Sequence, residues 1–170
     1  MNDIESASDG QLRFVFACDV GAALKRCIDH QTAEAYVLRN GVDILYIGVS
    51  VDAVDRVLGH LGFSTTLAWP GQGDMLSFIL DNRPASRDWQ FQFYSLQPCA
   101  TGGDLCSVRI VGSGFNRRSR CRSCLEQVES RLIRQFNPTL NAMHRTELSP
   151  TVNSYIDSRD EVIDLDEFDL

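Results

Sequence analysis

Six side chains along this chain could do chemistry together: Tyr36, Tyr46, Arg56, His60, Glu129 and Asn141. A phenol with its ordinary pKa of ~10 is too weakly acidic to serve as an efficient base at neutral pH unless nearby positive charge lowers it. An arginine keeps its charge, and its planar fork grips phosphate oxygens in pairs. A histidine titrates near neutrality and can position or protonate. Arg56 and His60 are four residues apart, so on a helix they share a face. Glu129 falls within a stripe formed by Leu125, Val128, Leu132, Ile133 and Phe136 at helical spacing. A carboxylate there is costly unless it is paired, hydrogen-bonded or bound to a metal. Each residue also has a plain reading: structural strand tyrosines, a solvated Arg–His pair, a buried salt bridge. Glu126, at the edge of the stripe, reads as a solvated surface acid.

Order and spacing narrow these readings. Ala35-Tyr36-Val37-Leu38-Arg39-Asn40-Gly41 runs into Ile44-Leu45-Tyr46-Ile47-Gly48, with Arg56 ten residues after Tyr46 and His60 four later. Glu129-Ser130-Arg131-Leu132-Ile133 precedes Asn137-Pro138-Thr139-Leu140-Asn141, placing Asn141 twelve residues after Glu129. Together these motifs resemble the GIY-YIG nuclease superfamily, and most of all its restriction-endonuclease branch. The resemblance implies an α/β (α+β) domain with a small central antiparallel sheet flanked by helices. It implies a metal-dependent DNA endonuclease that hydrolyses phosphodiester bonds in a restriction or defence role. A structure-specific repair or recombination nuclease, or a DNA-binding module without activity, are the alternatives.

Residue by residue, the resemblance implies that Tyr36 activates water and Arg56 clamps the scissile phosphate. Glu129 would hold Mg²⁺ or Mn²⁺, Tyr46, His60 and Asn141 would orient the site, and Gly48 would have a structural role. Glu34 stands where the family has its first glycine, and Val49 where some branches have a lysine. The long interval between His60 and Leu125 implies an inserted segment before the catalytic helix.

The supporting elements follow from local patterns. Residues 1–10 are polar and read as a flexible N-terminus to a domain spanning 11–146. Leu12 to Ala17 reads as a strand and Ala22 to Ile28 as helical. A helix over 52–62 places Val54, Val57, Leu58 and Leu61 on one stripe. Residues 63–87 read as turns around a short apolar run, Met75 to Leu80. Trp89 to Tyr94 alternates bulky and polar residues as a strand does, and Leu105 to Val111 is a second strand candidate. Gly112 to Arg120 reads as an arginine-rich loop before a helix from about Cys121 to Phe136, which Pro138 ends.

The hairpin register is the sharpest expectation. Asn40-Gly41 favours a two-residue turn, which would send Tyr36 and Tyr46 to opposite faces. A shared cleft needs them on one face. The expectation is therefore a three-residue loop pairing Arg39 with Asp43 and setting Tyr36 across from Tyr46, or a bulge with the same effect.

The net charge of −7 conceals a division. Residues 147–170 hold eight acids and one base, which is −7, so the other 146 residues sum to zero. Arg117, Arg118, Arg120 and Arg122 cluster before the last helix, with Arg131 and Arg134 on it, as a basic patch suited to DNA. The acidic tail lacks apolar content for a core; it reads as disordered, as a dock for a protein partner, or as a mimic of DNA charge. Six cysteines without an export signal suggest reduced thiols and an intracellular, cytoplasmic setting. Cys121 and Cys124 have zinc-ligand spacing, but Cys99 and Cys106 are a loose partner pair. Ordinary thiols are expected, with structural Zn²⁺ the alternative. No run is long enough to cross a membrane.

Overall fold

A computed structural model describes residues 3–28, 31–63, 74–97, 108–111 and 118–141. Helix α1 (Asp3–Ala7), strand β1 (Leu12–Asp19) and helix α2 (Val20–Leu24) lead into a hairpin of β2 (Ala35–Arg39) and β3 (Ile44–Val49). Helices α3 (Ala53–His60) and α4 (Asp74–Asp81), strands β4 (Gln90–Leu96), β5 (Val108–Val111) and β6 (Arg118–Cys121), and helix α5 (Arg122–Phe136) follow. The four longer strands form an antiparallel sheet in the order β1-β4-β2-β3, while β5 and β6 pair as a separate ribbon. This is the α+β arrangement that the sequence implied. Among the described residues, no helix is long and apolar enough to cross a membrane.

The alternation of β2 divides the core. Tyr36 and Leu38 face a cluster containing Val54 and Val57 of α3, Leu61 just past its end, Phe78 and Ile79 of α4, and Phe91 and Phe93 of β4. Ala35 and Val37 face the opposite cluster, where Val128, Leu132 and Ile133 of α5 pack with Ile44, Ile47 and Tyr94. The sheet is thus buried on both faces, which explains the nearly continuous apolar character of β2. The α3 stripe packs as expected: Val54, Val57 and Leu61 are buried, and the helix starts at Asp52, whose carboxylate accepts from Asp55 N at 3.0 Å.

Several local expectations need correction. Met75 to Leu80 lies within α4, because Met75, Phe78 and Ile79 at helical spacing are buried together; a continuous apolar run hides that period. Helix α2 ends earlier than Ile28, with Arg26 at a positive φ of 58°. Arg118 to Arg120 form a strand, since β5, the strand immediately before it in the chain, supplies its ladder partners. The strand expected at Trp89 to Tyr94 is present as β4, and it runs between β1 and β2 in the sheet.

Residues 3–10 are not loose either. Ile4 and Ser8 are fully buried, and Ile4 packs with Leu12, Val128 and Leu132. Two arginines fasten this segment. Arg39 of β2 grips Asp3 with both terminal nitrogens, at 3.1 and 2.9 Å. Arg131 of α5 pairs with Asp9 and donates to Ser8 O (3.0 Å) and Gln11 Oε1 (2.8 Å). Helix α1 therefore straps β2 to α5. Ile4→Ala should destabilise the domain by roughly 2–4 kcal/mol, as the loss of a fully buried aliphatic chain does. Thermal unfolding checks this: a variant melting with the parent protein would show that the strap carries no core load.

The acidic tail, Arg117, Cys99 and Cys106 lie outside the described residues, and with them the tail-partner and zinc expectations.

Candidate active site

The hairpin sets the geometry. Arg39 pairs with Ile44, Leu38 with Tyr46 and Tyr36 with Gly48, with a bulge between Leu38 and Arg39. Asn40 and Asp43 close the loop: Asn40 N donates to Asp43 O (3.1 Å), Asp43 N to Asn40 Oδ1 (3.0 Å), and Gly41 takes a φ of +86°. The three-residue loop, with Arg39 across from Asp43 and Tyr36 directly across from Tyr46, is therefore not adopted; the expected alternative, a bulge that puts both tyrosines on one face, is. Leu45 is the extra residue, and it shifts Tyr46 by one position to stand across from Leu38. Continued without the bulge, the Arg39–Ile44 register would send Tyr46 to the other face. With it, the two tyrosines are diagonal neighbours on one face, rings stacked at 5.7 Å and 26°.

Gly48 explains itself in this register. A Cβ added there would lie 2.4 Å from Tyr36 Cζ and 2.5 Å from its hydroxyl. The Tyr36 ring crosses the bare backbone of its cross-strand partner, and no side chain fits between.

Helix α3 supplies the next two groups. His60 Nε2 is 2.9 Å from the Tyr36 hydroxyl, and its ring meets Tyr46 edge-on at 5.5 Å between centroids. Arg56, one turn earlier and half-buried, exerts an electrostatic pull that lowers the pKa of Tyr36, Tyr46 and Glu129 alike. The pull does not prevail. Burial, then repulsion from Tyr46 and hydrogen bonding with it, hold Tyr36 well above its ordinary value. Burial also raises Tyr46. Of the two positive charges expected to act together, Arg56 and the metal, Arg56 alone is outweighed by the low polarity of the cleft. Both are neutral in this state, and Tyr36 can donate to His60.

Glu129 reaches the same place from α5, past the outer edge of β3. Its Oε1 accepts from Val49 N at 3.3 Å. Burial pushes its carboxyl up to about 7, with Glu126 adding repulsion, while the Val49 bond and Arg56 pull the other way. Glu126 itself is exposed, as expected.

Asn141 is near but differently occupied. Its Oδ1 accepts from Ile47 N (2.8 Å) and its Nδ2 donates to Ile47 O (2.6 Å), while Leu140 N donates to Leu45 O (2.9 Å). The Pro138–Asn141 segment thus completes the ladder along the open edge of β3 and pins the bulged residue. Asn141 is a positioning residue, with both ends of its amide committed to backbone. Arg131, counted above in the basic patch, is likewise committed, to the α1 strap. Arg118 and Arg120 lie in β6, and Arg122 opens α5. Glu34, at the family's glycine position, is buried and accepts from Leu96 N (2.8 Å), closing the end of β4. No pattern in the sequence announces that role.

Two phenols, an imidazole, a guanidinium and a single carboxylate thus meet at one end of the β2–β3 hairpin. The set can hold an anion against Arg56 and relay a proton between Tyr36 and His60. Among the described residues no group of three or more His, Cys, Asp or Glu side chains could enclose a metal ion. The donor set nevertheless fits a hard divalent cation held by one carboxylate. Such ions keep several waters and take further oxygens from a bound phosphate, and a cation would favour the ionised form of Glu129 that burial opposes. No protein-family model, curated protein or solved structure matches the chain.

Proposed function

We propose that the protein is a metal-dependent endonuclease that hydrolyses DNA phosphodiester bonds, resembling the restriction branch of the GIY-YIG nucleases. The observation that carries this reading is the bulge at Leu45. It brings Tyr46 onto the face of Tyr36, beside His60 and within the field of Arg56 and Glu129. A fold that needed only packing could use the simpler turn; a shared tyrosine cleft needs a departure from it, and this bulge supplies one.

Arg56 binds the non-bridging oxygens of the scissile phosphate and stabilises charge as the fifth oxygen adds. Tyr36 passes its proton to His60 Nε2 and takes one from the attacking water, whose oxygen forms the new bond to phosphorus as the leaving oxygen departs. A phenol held above its ordinary pKa cannot act as a free phenolate, so the relay through His60 replaces direct ionisation. Tyr46 packs the Tyr36 ring in place. Glu129 would hold Mg²⁺ or Mn²⁺, with Oε1 fixed by Val49 N. When bound, that cation supplies Lewis-acid stabilisation of the phosphate and the leaving oxygen.

Supercoiled plasmid incubated with the protein and Mg²⁺ should be nicked or linearised, and chelator should stop the reaction. Tyr36→Phe and His60→Ala should each slow cleavage by roughly 100-fold or more, the usual weight of a lost proton relay. Cleavage that ignores both substitutions and the chelator would refute the reading.

A further inference from the structure

Among the described residues, Glu34 is the only fully buried acid, at 1% exposure. Taking a carboxyl group out of water is costly unless its hydrogen bonds compensate. The place of Glu34 in the sheet shows what those bonds hold. It stands immediately before β2, where β4 outruns that strand. Ala35, the first residue of β2, pairs with Tyr94, while Ser95 and Leu96 continue in the ladder with β1. The Glu34 side chain takes over where the β2 backbone stops. Its Oε2 accepts from Leu96 N at 2.8 Å, and its own N donates to Tyr94 O at 2.8 Å.

The same dipeptide clasps the turn between β3 and α3. Glu34 O accepts from Ser50 N (2.8 Å), and Ala33 O accepts from Ala53 N (3.0 Å). Those two amides bound the turn. Just before it, Val49 N donates to Glu129 Oε1; just after it begins α3, which carries Arg56 and His60.

We propose that Glu34 is a positioning residue: its carboxyl anchors the 33–34 clasp to β4 and so fixes where α3 sets Arg56 and His60 against the two tyrosines and Glu129. The inference rests on the nuclease reading above. It also gives a use to a departure from the family pattern. Where the family has a glycine, this chain makes a hydrogen bond that a glycine has no side chain to make. Restoring the glycine should slow cleavage.

Three substitutions in the full chain test this. Glu34→Gln keeps an oxygen acceptor at the same reach, Glu34→Asp withdraws the carboxyl by one methylene, and Glu34→Gly removes it. Cleavage of supercoiled plasmid with Mg²⁺, well below each melting transition, gives kcat and KM. Amide hydrogen exchange without Mg²⁺ gives a reading independent of activity. Glu34→Gln should cut within about threefold of the parent, because its amide oxygen serves the same donor. Glu34→Asp and Glu34→Gly should lose roughly tenfold or more in kcat, as misplaced reacting groups do, with KM within about threefold. In those two variants exchange should quicken by about tenfold or more at Leu96, and together with it at Val49, Ser50 and Ala53. In Glu34→Gln these amides should exchange as in the parent.

A kcat loss in Glu34→Gln equal to that in the other two would overturn the anchor, since charge and not reach would then matter. Quickening confined to Leu96 would overturn it too, and so would an unchanged kcat in the two loosened variants. If only Glu34→Gln folds, the carboxyl holds the fold as a whole and the positioning role falls. Plasmid cleavage by the parent protein separates the two readings. Without it, but with the clasp amides loosening together, the nuclease reading fails and the anchor stands. With it, and with those amides indifferent to Glu34→Asp and Glu34→Gly, the anchor fails alone.

Discussion

Glu129→Gln is expected to abolish cleavage while leaving DNA binding measurable, and Glu126→Gln to cut as the parent does. The two glutamates are three residues apart on α5, but only Glu129 is half-buried at the edge of β3, with its Oε1 on Val49 N. Glutamine keeps the acceptor for Val49 and removes the charge a cation needs, so geometry and charge are separated in one change. A fully active Glu129→Gln protein would remove the proposed metal ligand.

The same substitution has a pH signature. The folded carboxyl is raised from 4.5 to about 7, so the folded chain holds that proton more tightly than the unfolded chain. The contribution of Glu129 to stability is then fully present below pH 4.5 and is lost as pH rises through about 7. The loss amounts to at most about 3 kcal/mol, and less after solvent screening of the exposed part of the group. Without divalent cations, Glu129→Gln should therefore melt higher than the parent at pH 8 and close to it at pH 4. Added Mg²⁺ should narrow the gap at pH 8 by stabilising the ionised parent. Identical melting curves at both pH values would mean that the carboxyl is not raised.

Gly48→Ala is expected to cost nearly as much activity, without touching a catalytic group. The added methyl would sit 2.4 Å from Tyr36 Cζ, and Tyr36 is walled in by the α3 core. The ring has to move, and the 2.9 Å contact with His60 moves with it. Overpacking of this kind costs roughly 1–3 kcal/mol of stability. A displacement on the order of 1 Å at the reacting group can cost roughly 100-fold in rate. Cleavage rates measured below the melting transition separate the two effects, and an unaltered rate would show that Tyr36 need not sit where it does.

The readability of this molecule tracks how local its determinants are. The α3 stripe, the β2–β3 hairpin and the α5 stripe were legible because each repeats its pattern within one element. The shared face of Tyr36 and Tyr46, and a bulge as one means to it, could be demanded from chemistry, but not which residue bulges. The Leu45 bulge is pinned by Leu140, far along the chain, and a turn rule sees only Asn40-Gly41. Helix α1 was illegible for the same reason. It offers one buried aliphatic, Ile4, and its arginine partners lie 36 and 122 residues from Asp3 and Asp9. Strand β6 looked like a loop because Arg118-Ser119-Arg120 is polar throughout and lacks the apolar alternation of a half-buried strand. The burial that outweighs Arg56 alone at both tyrosines was not legible, because sequence shows a charge but not the desolvation around its target.

The α1 strap also bears on how the protein resists self-association. A sheet grows by recruiting strands at unpaired edges, and both edges here are partly sealed by side chains. Asn141, Leu140 and Glu129 occupy the β3 edge. On β1, Ser8 Oγ accepts from Leu12 N and Glu5 Oε1 from Phe14 N, at 3.0 and 2.8 Å. A chain trimmed back to Gln11 would lose both β1 seals along with Ile4. It would uncover Leu12, which packs with Ile4, on an unprotected strand, the kind of edge on which amyloid-like stacking begins. Residues 3–10, the least promising described stretch of the sequence, thus serve as a built-in guard against aggregation.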